Sequence, residues 1–336
     1  MTDLGKIDAA VFDSVIRSNL GADRDDVRLG PTPGVDFGVV DVGGLVVVVS
    51  TDPISVLPEL GLERAGRLAI DIVLTDVAVS GVAPSHLAVS LSLPTAFDDE
   101  TLAGLWRGMA NHARDFGVSI VSGHTGRYPS IESSWVGAGT TLGVGDASAV
   151  VRPDGAGPGD SLVLSTGPAA EVAGLFAIRY PERLGLDPET IALAQERVDD
   201  IAAVGDALTA HAAGDVTAMH DATEGGIAGG LGEMASGAGV RIEVDRDAVP
   251  LGDGVSEVCS ALSFDPWCVT SAGTLLIAVD PADADAVVDA LEGTGTRAAV
   301  VGRVESGTGV YADGSAVRPP DRDPSWAAAK RLSEAE

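Results

Sequence analysis

The chain has 336 residues, 45% of them apolar and 21% charged, which suits two packed domains and excludes a disordered composition. Lys and Arg number 21 against 50 Asp and Glu, so the formal net charge is −29. Such a field repels phosphate backbones and argues against broad nucleic-acid binding, although a bound metal can invert the local sign for one phosphorylated ligand.

Residues 2–20 predict a short helix, with Leu4, Ile7, Val11, Val15 and Ile16 at helical spacing. A polar stretch, GPTPGVD, ends at Asp36. FGVVDV and LVVVVS follow, joined by Gly43-Gly44, and read as a hairpin whose second strand is buried on both faces. Residues 62–83 read as a buried helix, being apolar nearly all round. HLAVSLSL, residues 86–93, alternates like a strand. Residues 98–117 predict an amphipathic helix capped by Asp98 or Asp99, with Leu102, Leu105, Met109 and Ala113 inward. VSIVSG and WVGAGTTLGVG predict two more strands. VRPDGAGPGD, near residues 150–160, marks the best domain boundary. Beyond it come strand SLVLST, helices near 169–180 and 188–213, strand DVTAMHD and a Gly-rich helix over about 225–237. Strand TLLIAV, helix 281–291 and strand AAVVGRVE follow. The expectation is a mixed α/β protein with domains at 1–150 and 151–318 and a peripheral tail at 319–336.

Lys6 and Lys330 are the only lysines, so Schiff-base and P-loop lysine chemistry is disfavoured. An acidic surface nearly free of lysine predicts a saline, halophile-like setting in which salt screens the self-repulsion. Cys259 and Cys268 cannot build a disulfide framework or a zinc ribbon and read as packing cysteines. With no leader pattern at the start and no apolar run long enough to span a bilayer, the expectation is a cytoplasmic protein without membrane contact.

Three carboxylates abut apolar elements: Asp36 before a strand, Asp52 after VVVVST, and Asp76 beside Val77 in the apolar helix. Such positions are costly unless the group is paired, hydrogen-bonded or on a metal, and hard oxygen donors suit Mg²⁺. A single such Asp is more often a cap or strand end; for the three together the two readings stand level. Gly123-His124-Thr125-Gly126 reads as a tight turn that could bring N–H groups to an anion, while a lone His124 is more often structural. Asp221-Ala222-Thr223-Glu224-Gly225-Gly226 runs into a helix whose mouth could cradle phosphate; close helix packing explains the glycines equally well.

Taken in order, GVDFGVV, VVVVSTDPISV, LTDVAVSGVAPSHLAVSLSL, SGHTG, GPGDSLVLS, MHDATEGGIAGGLGEMA and SFDPWCVTSAGTLLIAV resemble the aminoimidazole ribonucleotide synthetase (PurM-like) superfamily over roughly residues 34–304. The pattern is most similar to the hydrogenase-maturation carbamoyl dehydratase branch, HypE. The resemblance implies a two-domain α/β fold, an N-terminal dimerising domain, and ATP with Mg²⁺ in a cleft. It implies metal ligation by Asp36, Asp52 and Asp76. It implies nucleotide or phosphate contacts from Gly123, Thr125, Thr223, Gly225 and Gly226, and catalytic roles for Asp221 and His124.

Some motifs depart from that pattern. Thr75 stands where an Asn usually precedes the aspartate, and Thr51-Asp52 is followed by Pro53, whereas aminoimidazole ribonucleotide synthetase uses a Gly-Thr-Lys strand motif. The carbamoyl dehydratase works through a tail cysteine, and no cysteine follows Cys268. The expected activity is therefore ATP- and Mg²⁺-dependent activation of a substrate oxygen by phosphoryl transfer, on a small molecule or a protein terminus. The alternatives are a kinase resembling thiamine-monophosphate kinase and a nucleotide-binding protein without turnover.

Overall fold

A computed structural model describes residues 7, 9–131 and 134–334, and in it the chain separates into two bodies. One comprises Asp26–Gly30 and Asp36–Val150; the other comprises Met1–Asp25, Pro31–Val35 and Val151–Glu336. The grouping departs from a single break near residue 150. Pro31–Val35 belongs with the C-terminal body because Gly34 lies against Glu233: a Cβ there would sit 3.1 Å from the Glu233 Cβ. The helix expected over 2–20 is described only from its middle, as α1 (Ala9–Val11) running into a wide π turn, Phe12–Arg17. Its Val11, Val15 and Ile16 are exposed rather than packed.

The first body is a sheet with two helices. Its strands are β1 (Val27–Leu29), β2 (Gly38–Val42), β3 (Leu45–Ser55), β4 (Pro84–Pro94), β5 (Ser119–Tyr128) and β6 (Trp135–Gly145). They lie in the order β1-β2-β3-β6-β4-β5, with only β4 and β5 parallel. Gly43 and Gly44, at φ 61° and 95°, make the tight β2–β3 turn that left-handed backbone permits. Helices α2 (Leu62–Ala78) and α3 (Asp99–Asp115) pack on the sheet and on each other. Asp98 caps α3, accepting from the Thr101 N–H at 2.8 Å.

Small residues let α2 come close. Along β6, Gly137, Gly139, Thr141, Gly143 and Gly145 share one parity and hence one face. A Cβ on Gly143 would lie 2.8 Å from Val77 Cγ1, and the Thr141 hydroxyl donates to the Val73 carbonyl at 2.8 Å. β3 alternates instead of being buried on both faces: Val46, Val48 and Ile54 are inward, while Leu45 and Thr51 are exposed. One face of this sheet is therefore covered by helices and the other is open.

The second body holds a larger sheet. Its strands are β7 (Ser161–Ser165), β8 (Val216–Ala222), β9 (Arg241–Val244), β10 (Thr274–Val279), β11 (Ala298–Glu305), β12 (Gly309–Ala312) and β13 (Ser315–Val317). The order is β13-β12-β9-β11-β7-β10-β8, so β8 is an edge and β10, wholly buried, is inside. The helices are α4 (Ala170–Arg179), α5 (Pro188–Glu196), α6 (Val204–Ala213), α7 (Gly226–Ala238), α8 (Val255–Leu262), α9 (Ala284–Gly293) and α10 (Pro324–Glu334). Leu231 and Met234 of α7 pack with Leu162, Leu276 and Ile242 of the sheet. A second cluster joins Phe176, Tyr180, Val258 and Leu262 to Ala328 of α10. The segment read as peripheral thus contributes a buried residue to a core. No helix of the described residues is long and apolar enough to cross a membrane.

Candidate functional site

The strand register of the first body decides which predicted residues share a face. Ser50 pairs with Thr141 and Asp52 with Gly139, on the face that α2 covers. Asp76, 4% exposed, projects from α2 onto that face and accepts a 2.6 Å hydrogen bond from the Ser50 hydroxyl. Ser50 and Asp52 are two positions apart on β3, so their Cα atoms lie about 7 Å apart. Asp52 and Asp76 therefore flank Ser50 on one surface. Asp36 is exposed and leads into β2.

The same register separates His124 from them. Gly123-His124-Thr125-Gly126 is not a turn; it is the middle of β5, which continues to Tyr128. The row Asp52, Gly139, Val89, Gly123 crosses four strands on the helix-covered face, and Thr125 follows on that face. His124 pairs with Ser90 in the alternate row, on the open face. There its Nε2 lies 2.9 Å from the Tyr128 hydroxyl. The glycine at 123 is explained by packing, since a Cβ would strike the Val89 carbonyl oxygen. The sheet itself thus stands between His124 and the Asp52–Asp76 surface.

In the second body Asp221 lies at the edge of the sheet. It is a strand residue of β8, 6% exposed and paired with Leu275. His220, 2% exposed, lies between two carboxylates: Nδ1 is 3.6 Å from Asp221 Oδ1 and Nε2 is 2.8 Å from Glu233 Oε2. The strand places His220 beside Asp221, and α7 brings Glu233 back to it thirteen residues later.

The loop after β8 also differs from expectation. The Thr223 backbone carbonyl accepts from the Gly226 N–H at 2.9 Å. Gly225, at φ 80°, holds the N-cap position. Its N–H donates to Asp323 Oδ2 at 3.0 Å. Both glycine donors expected to bind phosphate are thus engaged within the chain. A Cβ on Gly226 would meet the carbonyl oxygens of Trp267 and Val269 at 2.6 and 2.5 Å, so close packing fixes that glycine. Nearby, Glu171 accepts from the Thr270 hydroxyl at 2.6 Å and the Ala272 N–H at 3.0 Å. Burial pushes its carboxyl above the ordinary value, the two hydrogen bonds oppose this, and the charges of Asp323 and Glu224 add to the rise.

Sequence reasoning missed Ser50, His220, Glu233, Glu171 and Asp323. His220 had a local signal, standing next to Asp221. Asp323 had none, because 98 residues separate it from Gly225.

Residues 34–144 match the N-terminal domain of AIR synthase related protein, and residues 157–314 match its C-terminal domain. A carbamoyl dehydratase HypE of Cupriavidus necator is 34% identical over 248 residues, 71% of this chain and 67% of that protein. The chain belongs to the AIR synthase related family. Among solved structures, this AIR synthase related chain is similar to Escherichia coli HypE, with a TM-score of 0.72, 26% identity, and 96% and 92% of the two chains covered. It also has the fold of a hydrogenase maturation protein HypE solved in complex with ATP, with a TM-score of 0.69, 24% identity, and 94% and 93% covered. The family assignment accounts for the mixed α/β fold and for the order of the motifs along the chain.

Proposed function

We propose that this chain is an ATP-dependent enzyme that activates a substrate oxygen by phosphoryl transfer. The observation carrying this reading is the surface where Asp52 and Asp76 flank Ser50, on a chain whose family relatives include an ATP-bound structure. Carboxylate and hydroxyl oxygens are the donor set that suits Mg²⁺, so the residues fit the metal. Asp36, Asp52 and Asp76 would hold it. When bound, Mg²⁺ neutralises charge on the transferring phosphoryl group.

The chain's own residues do the rest. Ser50 fixes the Asp76 carboxylate by one short hydrogen bond, which orients it before ligand arrives. Gly123 and Thr125, on the same sheet face as Asp52, line the nucleotide side. Asp221 accepts the proton of the attacking acceptor, and the Thr223 side chain, on the loop that Gly225 and Gly226 shape, positions the acceptor or its phosphate. His124 acts only where the open sheet face is covered. That face and the exposed edge strand β5 fit a second copy of the chain, so the enzyme works as a homodimer. With a charge of −29, its setting is a saline cytoplasm.

The reading is tested by following ADP release in molar KCl with Mg²⁺, against carboxamide, amidine and phosphate-ester acceptors. Acceptor-dependent ADP release that is lost in Asp221→Asn supports it. Nucleotide binding with no turnover on any acceptor would make the chain a binding protein instead.

A further inference from the structure

The buried imidazole of His220 meets a carboxylate of its own body at each nitrogen, and the two contacts are unequal. Nε2 lies 2.8 Å from Glu233 Oε2, a hydrogen-bond distance, while Nδ1 lies 3.6 Å from Asp221 Oδ1, beyond one. An ionised carboxylate only accepts, so the short contact places a ring hydrogen on Nε2. The neutral ring then carries its lone pair on Nδ1, the nitrogen turned to Asp221. A doubly protonated ring would draw Nδ1–H onto the Asp221 carboxylate at about 2.7–2.9 Å, and burial opposes that charge.

A histidine placed only for packing needs one acceptor for its N–H. This one also has its second nitrogen turned to the carboxylate that takes the acceptor's proton in the proposed reaction. In that step the acceptor's O–H bond breaks. The electron pair stays on the oxygen and forms its bond to phosphorus, the bond from phosphorus to the leaving ADP oxygen breaks, and the proton goes to Asp221. The Asp221 carboxyl then has an O–H to donate, and Nδ1 is the acceptor facing it. The lone pair gives nothing to ionised Asp221, so the contact strengthens only as the proton moves. Loss of that proton from Asp221 to water restores the starting state. Glu233 is held for its part by α7 and by Gly34, which presses on its Cβ, and its side chain is 44% exposed.

From this we infer that His220 is a positioning residue for phosphoryl transfer: Glu233 fixes its Nε2–H tautomer, so that Nδ1 accepts a hydrogen bond from Asp221 once Asp221 has taken the acceptor's proton. The inference rests on the proposed role of Asp221 as that base and adds two residues to it.

The test uses the full chain in molar KCl with Mg²⁺, labelled with nitrogen-15 at histidine, as wild type, Glu233→Gln, Glu233→Met and His220→Gln, the last identifying the His220 signals. At neutral pH, NMR of wild type is expected to show Nε2 protonated and Nδ1 bare. Glu233→Met removes the acceptor and should mix the two tautomers, whereas the Glu233→Gln amide oxygen can still accept and should keep more of the Nε2–H form. With ATP and any acceptor that supports ADP release, kcat should fall in step with the Nε2–H population. The loss in Glu233→Met should be about tenfold or more, the scale of one hydrogen bond to the reacting group, with the KM for ATP within about twofold and the melting temperature unmoved. A packing role leaves kcat untouched in that variant. Nδ1 carrying the hydrogen in wild type, or full kcat in Glu233→Met, overturns the inference while the enzyme reading stands. If His220→Gln does not fold, the two Glu233 variants at their half-exposed site decide. If no form releases ADP on any acceptor, the enzyme reading falls and the role of His220 falls with it.

Discussion

Asp76 shows how far a residue's neighbours in sequence reveal its role. An acidic residue inside an apolar helix advertises a special environment, and its 4% exposure and bond to Ser50 bear that out. The identity of the partner was not legible, because Ser50 reaches Asp76 only through sheet register. His124 is the opposite case: its flanking glycines imitate a turn, yet Gly123 is small because the Val89 backbone leaves no room for a Cβ. Two residue-scale predictions follow from ionisation. The Cys259 thiol is pushed up to about 12 by burial, with the Asp265 charge adding, so it should resist a disulfide reagent in the native chain at pH 8 and react once the chain is unfolded. Rapid native labelling of Cys259, mapped by mass spectrometry, would contradict this. Glu171 has a folded-state carboxyl raised above the ordinary 4.5. Its contribution to stability is therefore whole below that value and is lost as pH rises through the folded one. Glu171→Gln, which keeps an oxygen for Thr270 and Ala272, should melt higher than wild type near pH 7 and lose that advantage near pH 4. Thermal melts at the two pH values decide; a constant difference refutes the burial account.

At the scale of elements, α2, α3, β4 and β6 were legible because their patterns agree with their burial. Asp98 caps α3, and Leu105, Met109 and Ala113 face the core as their spacing predicts. β9, β12, β13 and α10 escaped notice, being short or polar along much of their length. The glycines of α3 carried a signal that helix propensity alone would misread. Gly108 crosses α2 where a Cβ would run into the Glu63 carbonyl oxygen. Gly108→Ala should therefore lower stability by about 1–3 kcal/mol through overpacking, outweighing the roughly 1 kcal/mol by which Ala favours a helix. Gly293, at the end of α9, serves as control, because a Cβ there would meet nothing within 4 Å. Gly293→Ala should be neutral or stabilising. Urea titrations of both variants check the contrast, and equal effects would remove the close-approach explanation.

At the scale of the whole molecule, charge and family set the expectations. The −29 charge should make stability rise with salt toward molar KCl as repulsion is screened, and a melting midpoint that ignores salt would contradict it. The two-sheet, mixed α/β organisation was legible from motif order. The assignment of Pro31–Val35 to the C-terminal body was not, since it depends on Gly34 meeting Glu233 far along the chain. The Asp52–Asp76 surface carries the central claim that the chain uses ATP with Mg²⁺. The most direct test is calorimetric titration of a non-hydrolysable ATP analogue into wild type, Asp52→Asn and Asp76→Asn, in molar KCl with either Mg²⁺ or EDTA. The account predicts wild-type binding that requires Mg²⁺ and is weakened at least about tenfold by either substitution, with melting temperatures showing both variants folded. Equal affinity in EDTA, or unchanged affinity in both variants, would contradict it.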